Sequence, residues 1–259
     1  MKSHWKIDFG SLCEIGDRKP TNQDNVFVAA DMIDNKRVGL FVVADGVGGL
    51  KCGEDISMLI VGYFKRWFEM LKERNSVPEN VLAEINSCVV TINKAAYDFA
   101  VSKGEKMGST IALLMTVEDK YYLCNVGDSR VYRICGGELF QLSYDHSYTA
   151  ELVRRGELSP QDAENHPKRN VITMCIGTNT NINPFYASGD CSKQDMFLVC
   201  SDGFYNFSDK TQAGALFADK KLHPSDKVQY LRQTIPQGNA RDNVSIILVE
   251  MKKTLFAHE

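Results

Sequence analysis

The chain has 259 residues, 44% of them hydrophobic and 24% charged, with a formal net charge of −3. One large domain or two small ones fit that length, with a core of ordinary size. The slight acidity gives no electrostatic footprint for nucleic acid or an anionic membrane, and no apolar run nears the ~20 residues that cross a bilayer. The first residues, MKSHWKIDFG, lack the apolar centre of a secretory signal. Eight cysteines are scattered without a CxxC or Cys/His cluster, which reads as buried, reduced thiols of a cytoplasmic protein.

Strand-like runs come first, NVFVAA at 25–30 and VGLFVVA at 38–44. Two long helices follow. In the first, Ile56, Leu59, Ile60, Tyr63, Phe64, Trp67, Phe68 and Leu71 recur at steps of three and four. In the second, Leu82, Ile85, Val89, Ile92, Ala96 and Phe99 do the same, with Asn75 and Pro78 marking the turn between. Strands are expected again at 109–117, 120–127 and 130–135, the last turning through Gly136-Gly137 into a hairpin. Short helices are expected at 147–155 and 160–165, strands at NPFYASG and DMFLVCS, a helix at 224–235 and a last strand at 243–251. No repeat, linker or nucleotide-binding glycine motif interrupts this order. Strands in early and late blocks with helices between them predict an α+β layered fold.

Four aspartates end or begin apolar runs beside small or turn-forming residues: Asp45 after FVVA, Asp128 after YLCNVG, Asp202 after FLVCS, and Asp242 before NVSIILVE. A fifth, Asp24, precedes NVFV. Any one of them alone is a turn or cap residue. Five at the ends of rigid strands make a site if they converge, and close carboxylates repel unless cations lie between them. Oxygen donors without histidine or cysteine select hard ions, magnesium or manganese before zinc. In that reading Asp45 bridges two ions, the Gly46 carbonyl faces one of them, and Gly48 and Gly49 leave room for a phosphate.

RKPTNQD, ADGVGG, GST, NVGDSR, LSYDHS, LVCSDGF and RDNVSIILV occur in that order. Together they resemble the motifs of the type 2C metal-dependent protein serine/threonine phosphatases, in their bacterial form. The resemblance spans about residues 5–250. It implies one catalytic domain over 1–259, built as a four-layer α-β-β-α sandwich of two packed antiparallel β-sheets flanked by helices. It implies hydrolysis of phosphoserine and phosphothreonine by direct attack of a metal-bridging hydroxide. Two Mn²⁺ or Mg²⁺ ions would lie in the core site, with a third, looser one in the bacterial branch. Asp24, Asp45, Gly46, Asp202 and Asp242 match the ligands of the core site, and Asp128 that of the third ion.

Arg18 is the candidate for holding the substrate phosphate, with Lys19 the runner-up because RKPTNQD is one residue longer than the usual spacing. Gln23 stands where many relatives have Glu, and Val47 where many eukaryotic relatives have a histidine. His146 reads as a structural residue between strand and helix. Segment 165–190 falls where bacterial members carry a mobile flap. The partners implied are phosphorylated proteins and a companion serine/threonine kinase, with no nucleic acid and no membrane, and the protein is expected to be a monomer. The alternative from another class is a pseudophosphatase that binds phosphoproteins without turnover.

Overall fold

In the computed structural model, residues 3–47, 52–192 and 195–255 are described. Gly48 and Gly49, expected to make room for phosphate, lie outside them. The first sheet holds β1 (Ser3–Glu14), β10 (Val244–Leu255), β9 (Met196–Cys200), β6 (Arg130–Cys135) and β7 (Glu138–Gln141), in that spatial order. The second holds β2 (Asp24–Ile33), β3 (Lys36–Asp45), β4 (Ile111–Val117), β5 (Lys120–Val126) and β8 (Phe185–Asp190). Every neighbouring pair is antiparallel.

The sheets pack face to face, as the side-chain period of a strand requires. On β3, Phe41 and Val43 point to the inter-sheet core with Leu114, Leu123, Phe197, Val199 and Ile247. The alternate residues Val38, Leu40, Val42 and Ala44 point the other way, onto Ile56, Phe64, Phe68, Ile85 and Ile92 of α1 (Gly53–Arg74) and α2 (Val81–Lys103). Both faces of this strand are buried, which is why VGLFVVA reads as an unbroken apolar run. On the outer face of the first sheet, Leu198, Ile246 and Leu248 pack against Phe204, Phe217 and Leu231. Those three residues belong to α5 (Asp202–Tyr205), α6 (Lys210–Ala218) and α7 (Pro224–Gln233). The four-layer sandwich of the sequence reading is the observed architecture.

The helix pair α1–α2 sits where its periodicity predicts. Asn75 ends α1 in the left-handed region at φ 47°, and the Asn80 side chain caps α2 by accepting from the Ala83 amide. The short helices α3 (Tyr148–Arg154) and α4 (Pro160–Glu164) are capped by Ser147 and Ser159. All eight cysteines are free; five are buried, whereas Cys13 and Cys52 are half-buried and Cys135 is exposed. No helix among the described residues is long and apolar enough to cross a membrane.

Three elements are absent from the sequence reading: β1, α5 and α6. Strand β1 has no flanking hairpin to announce it, since among the described residues it pairs with β10 at the other end of the chain, from Ser3↔Leu255 to Glu14↔Val244. Helix α6 buries only Ala213 and Phe217, too few positions for a visible period.

Candidate metal centre

The antiparallel order brings the start of β2, the end of β3, the β5–β6 turn, the end of β9 and the start of β10 to one end of the sandwich. Asp24 and Asp45 are directly opposite one another across the first two strands of the second sheet. The exit of β3 is clamped: the Asp45 amide donates to Thr110 Oγ1 at 3.1 Å and the Thr110 amide to the Asp45 carbonyl at 2.8 Å. Asp128 sits in the β5–β6 turn after Gly127, and its carbonyl accepts from the Tyr205 hydroxyl at 3.0 Å. The first sheet supplies Asp202, at the start of α5, and Asp242, two residues before β10. Gly203 permits their approach, because a Cβ there would lie 2.0 Å from the Asn243 carbonyl oxygen.

Like charges opposite one another across strands are destabilising, and these are buried as well. Burial first, then the charges of Asp24, Asp202, Asp128 and Asp242, push the Asp45 carboxyl well above its ordinary pKa. Burial raises Asp24 to about 6, against the lowering effect of hydroxyl donors from Ser245 and Ser201 at 2.7 and 2.8 Å. Asp128 is raised to about 7 by burial and by Asp145, although Arg130 opposes the shift. Asp202 rises through burial and through Asp128, Asp242 and Asp24. The ordinary sink for such a field is a cation.

The donors suit a hard divalent ion. All are oxygens, and Asp24 Oδ1 and Asp128 Oδ1 are buried with no hydrogen-bond partner, so both are free to take a cation. Among the described residues, however, no three acidic, histidine or cysteine side chains close on a single ion as they stand. The Lys19 ammonium lies 2.7 Å from Asp242 Oδ1 and feels Asp45 and Asp202 as well. The arrangement thus fits ions that take few direct protein ligands and complete their shells with water, with Asp242 released from Lys19.

A cavity of about 630 Å³ opens over the carboxylates, lined by Lys19, Asp45, Asp128, Asp202 and Asp242 below. Its walls include Val47 and residues 172–175 of the loop between α4 and β8. Arg18, the first candidate for the phosphate, is exposed and outside the cavity lining, whereas Lys19, the runner-up, lies among the acids. Asn243 holds this register. Its side-chain amide donates to the carbonyls of Ile15 and Thr21, and its Oδ1 accepts from the Gln23 amide.

Val47 lines the cavity and carries no proton. His146 does not line it; its Nδ1 accepts from the Gly127 amide at 3.1 Å, and burial holds its pKa below the ordinary value. Its backbone carbonyl accepts from Thr173 and its amide donates to Gly127, so it joins the Asp128 turn to the cavity wall. Segment 165–190 is anchored further by the bridges Ser147↔Ile172 and Ser109↔Ile176, and it ends in β8. Ser201, Ser245, Asn243 and Glu54, which touch the predicted ligands or their neighbours, are absent from the sequence reading. Only the position of the two serines beside a predicted strand end could have flagged them.

Known proteins share this sequence pattern and fold. The profile of the Protein phosphatase 2C family matches residues 17–242. The chain is 30% identical over 264 residues to the serine/threonine phosphatase stp of Listeria monocytogenes, covering 98% of this chain and 97% of that protein. It is 27% identical over 249 residues to the protein phosphatase PhpP of Streptococcus pneumoniae, covering 95% of this chain and 98% of that one. The crystal structure of the serine/threonine phosphatase Stp1 from Staphylococcus aureus superposes with a TM-score of 0.84 at 27% identity, covering 96% of this chain and 97% of that one.

Proposed function

Because this chain belongs to the protein phosphatase 2C family and is a metal-dependent protein serine/threonine phosphatase, we propose that the acidic end of its sandwich is the catalytic centre. Asp24, Asp45, Asp202 and Asp242, with the Gly46 carbonyl, hold two divalent ions in this reading, and Asp128 with Asp202 a third. The observation that carries it is the convergence of Asp45, Asp128, Asp202 and Asp242 on the floor of one cavity, with Asp24 buried opposite Asp45 and an orphaned oxygen on both Asp24 and Asp128. Oxygen-only donors favour Mn²⁺ or Mg²⁺. Ions bound there supply Lewis acidity, lowering the pKa of the attacking water and offsetting charge on the transferring phosphoryl group.

The protein's own side chains do the rest. Asp45 would hold the core ions from the end of a strand buried on both faces. Lys19 is the cation of the cavity floor, and its ammonium is free to take a phosphate oxygen once Asp242 turns to an ion. Val47, Ile172 and Met174 give the cavity an apolar wall that strengthens these electrostatic contacts. Val47 cannot donate a proton, and in this reading the departing serine or threonine oxygen takes its proton from water.

We take residues 1–259 as one catalytic domain; shared sheets across three cores and the span of the family match support this. Its substrates are phosphorylated proteins. We place them among the targets of a serine/threonine kinase of the same cytoplasm, and the enzyme as a monomer. The test is hydrolysis of a phosphoserine peptide beside a nucleic acid. Peptide turnover should vanish with chelator and return with Mn²⁺, and full activity in excess chelator would overturn the metal reading.

A further inference from the structure

Gln23 is uncharged where a bound cation would gain from negative charge, and its side chain has a specific partner. Its amide nitrogen donates to Glu54 Oε2 at 3.0 Å, in the first turn of α1. An ionised carboxylate only accepts, so the nitrogen must face Glu54 and Oε1 of the amide is left as an acceptor on the other side. The backbone of Gln23 is held as firmly: its carbonyl accepts from the Gly46 amide at 3.1 Å and from Ser57 Oγ at 2.6 Å.

Two glycines bring α1 this close. A Cβ on Gly46 would lie 2.6 Å from the Gly53 carbonyl carbon, and a Cβ on Gly53 would lie 3.0 Å from Gln23 Nε2. A side chain at Gly46 would push the helix off the turn, and one at Gly53 would press on the Gln23 amide. The first turn of a helix also favours an acid, since its free amides carry partial positive charge.

We propose that Glu54 is a positioning residue of the metal centre: through Gln23 it supplies, from helix α1, the negative charge that residue 23 lacks, and it fixes the Gln23 amide with its oxygen available as an acceptor. This rests on the metal reading of the site. It also changes what position 23 tolerates. Gln23→Glu places two carboxylates at hydrogen-bond distance with no proton between them, whereas exchanging the pair keeps one acid and one amide.

The test is Mn²⁺ binding by titration calorimetry, with melting of the chelated protein, for the full chain and its Glu54→Gln, Gln23→Glu, doubly exchanged and Asp55→Asn variants. Glu54→Gln should weaken Mn²⁺ binding roughly tenfold, the low end for partners that act through a ligand's neighbour. Gln23→Glu should lower the melting temperature of the chelated protein, and the exchanged pair Gln23→Glu/Glu54→Gln should recover both readouts to within about twofold and a degree or two. Asp55→Asn, one residue on and exposed, should bind Mn²⁺ as the parent does. Unchanged affinity in Glu54→Gln, no recovery in the exchanged pair, or an equal loss in Asp55→Asn overturns the role of Glu54. A parent protein that binds no Mn²⁺ overturns the metal reading itself, and the two failures are therefore separable.

Discussion

Asp45 faces four other carboxylates whose charges all raise its pKa, and substitution there should separate folding from catalysis. Asp45→Asn removes one member of a repelling set, so the chelated variant should melt at a higher temperature than the parent while nearly all turnover is lost. Near-normal turnover would reduce Asp45 to a turn residue. Position 19 makes the second test. Lys19 meets the acids and Arg18 does not, so Lys19→Ala should cost kcat/KM on the order of 1.5–3 kcal/mol, the range for hydrogen bonds to a charged group, mostly through KM. Arg18→Ala should change it little. Steady-state kinetics on a phosphopeptide decide between them, and a larger loss in Arg18→Ala would mean that the loop shifts by one residue when substrate binds.

At the scale of elements, the site depends on how closely α5 seats against the start of β10. Gly203 is the contact, with the Asn243 oxygen 2.0 Å from where a Cβ would be. Gly203→Ala must move backbone, and overpacking of this kind costs about 1–3 kcal/mol. At roughly 2–4 °C per kcal/mol for a chain of this size, thermal melting should fall by several degrees, and Mn²⁺ affinity should fall with it because Asp202 and Asp242 separate. An unchanged melting temperature would show that the helix relocates freely. The opposite wall is held by His146, whose ring accepts from Gly127 while its carbonyl accepts from Thr173. The Asp128 turn and the loop at 172–175 therefore share one anchor.

For the whole molecule, the acidic end sets how stability responds to pH. Asp24 titrates near 6 and Asp128 near 7 when folded, against about 3.9 for an unfolded aspartate. The folded state thus binds more protons between about pH 4 and 7, and stability falls as pH rises through that window. Chelated protein should melt progressively lower from pH 5 to pH 8, and saturating Mn²⁺ should flatten the profile by replacing those protons as counter-charge. A flat profile in chelator would contradict the buried repulsion. Much of this was legible beforehand. The period of the apolar residues marks α1, α2 and most strands, and five aspartates at strand ends mark the chemistry, because burial pattern and turn chemistry are local properties of the chain. Seven ordered motifs carried the family. Tertiary structure alone decided the rest. Strand β1 exists through pairing with β10 at the far end of the chain. Lys19 rather than Arg18 enters the site because Asn243, more than two hundred residues later, grips the carbonyls of Ile15 and Thr21 and so sets that loop's register. Glu54 reaches Gln23 because Gly46 and Gly53 let two backbones touch, a contact between segments whose own sequences carry no sign of the other.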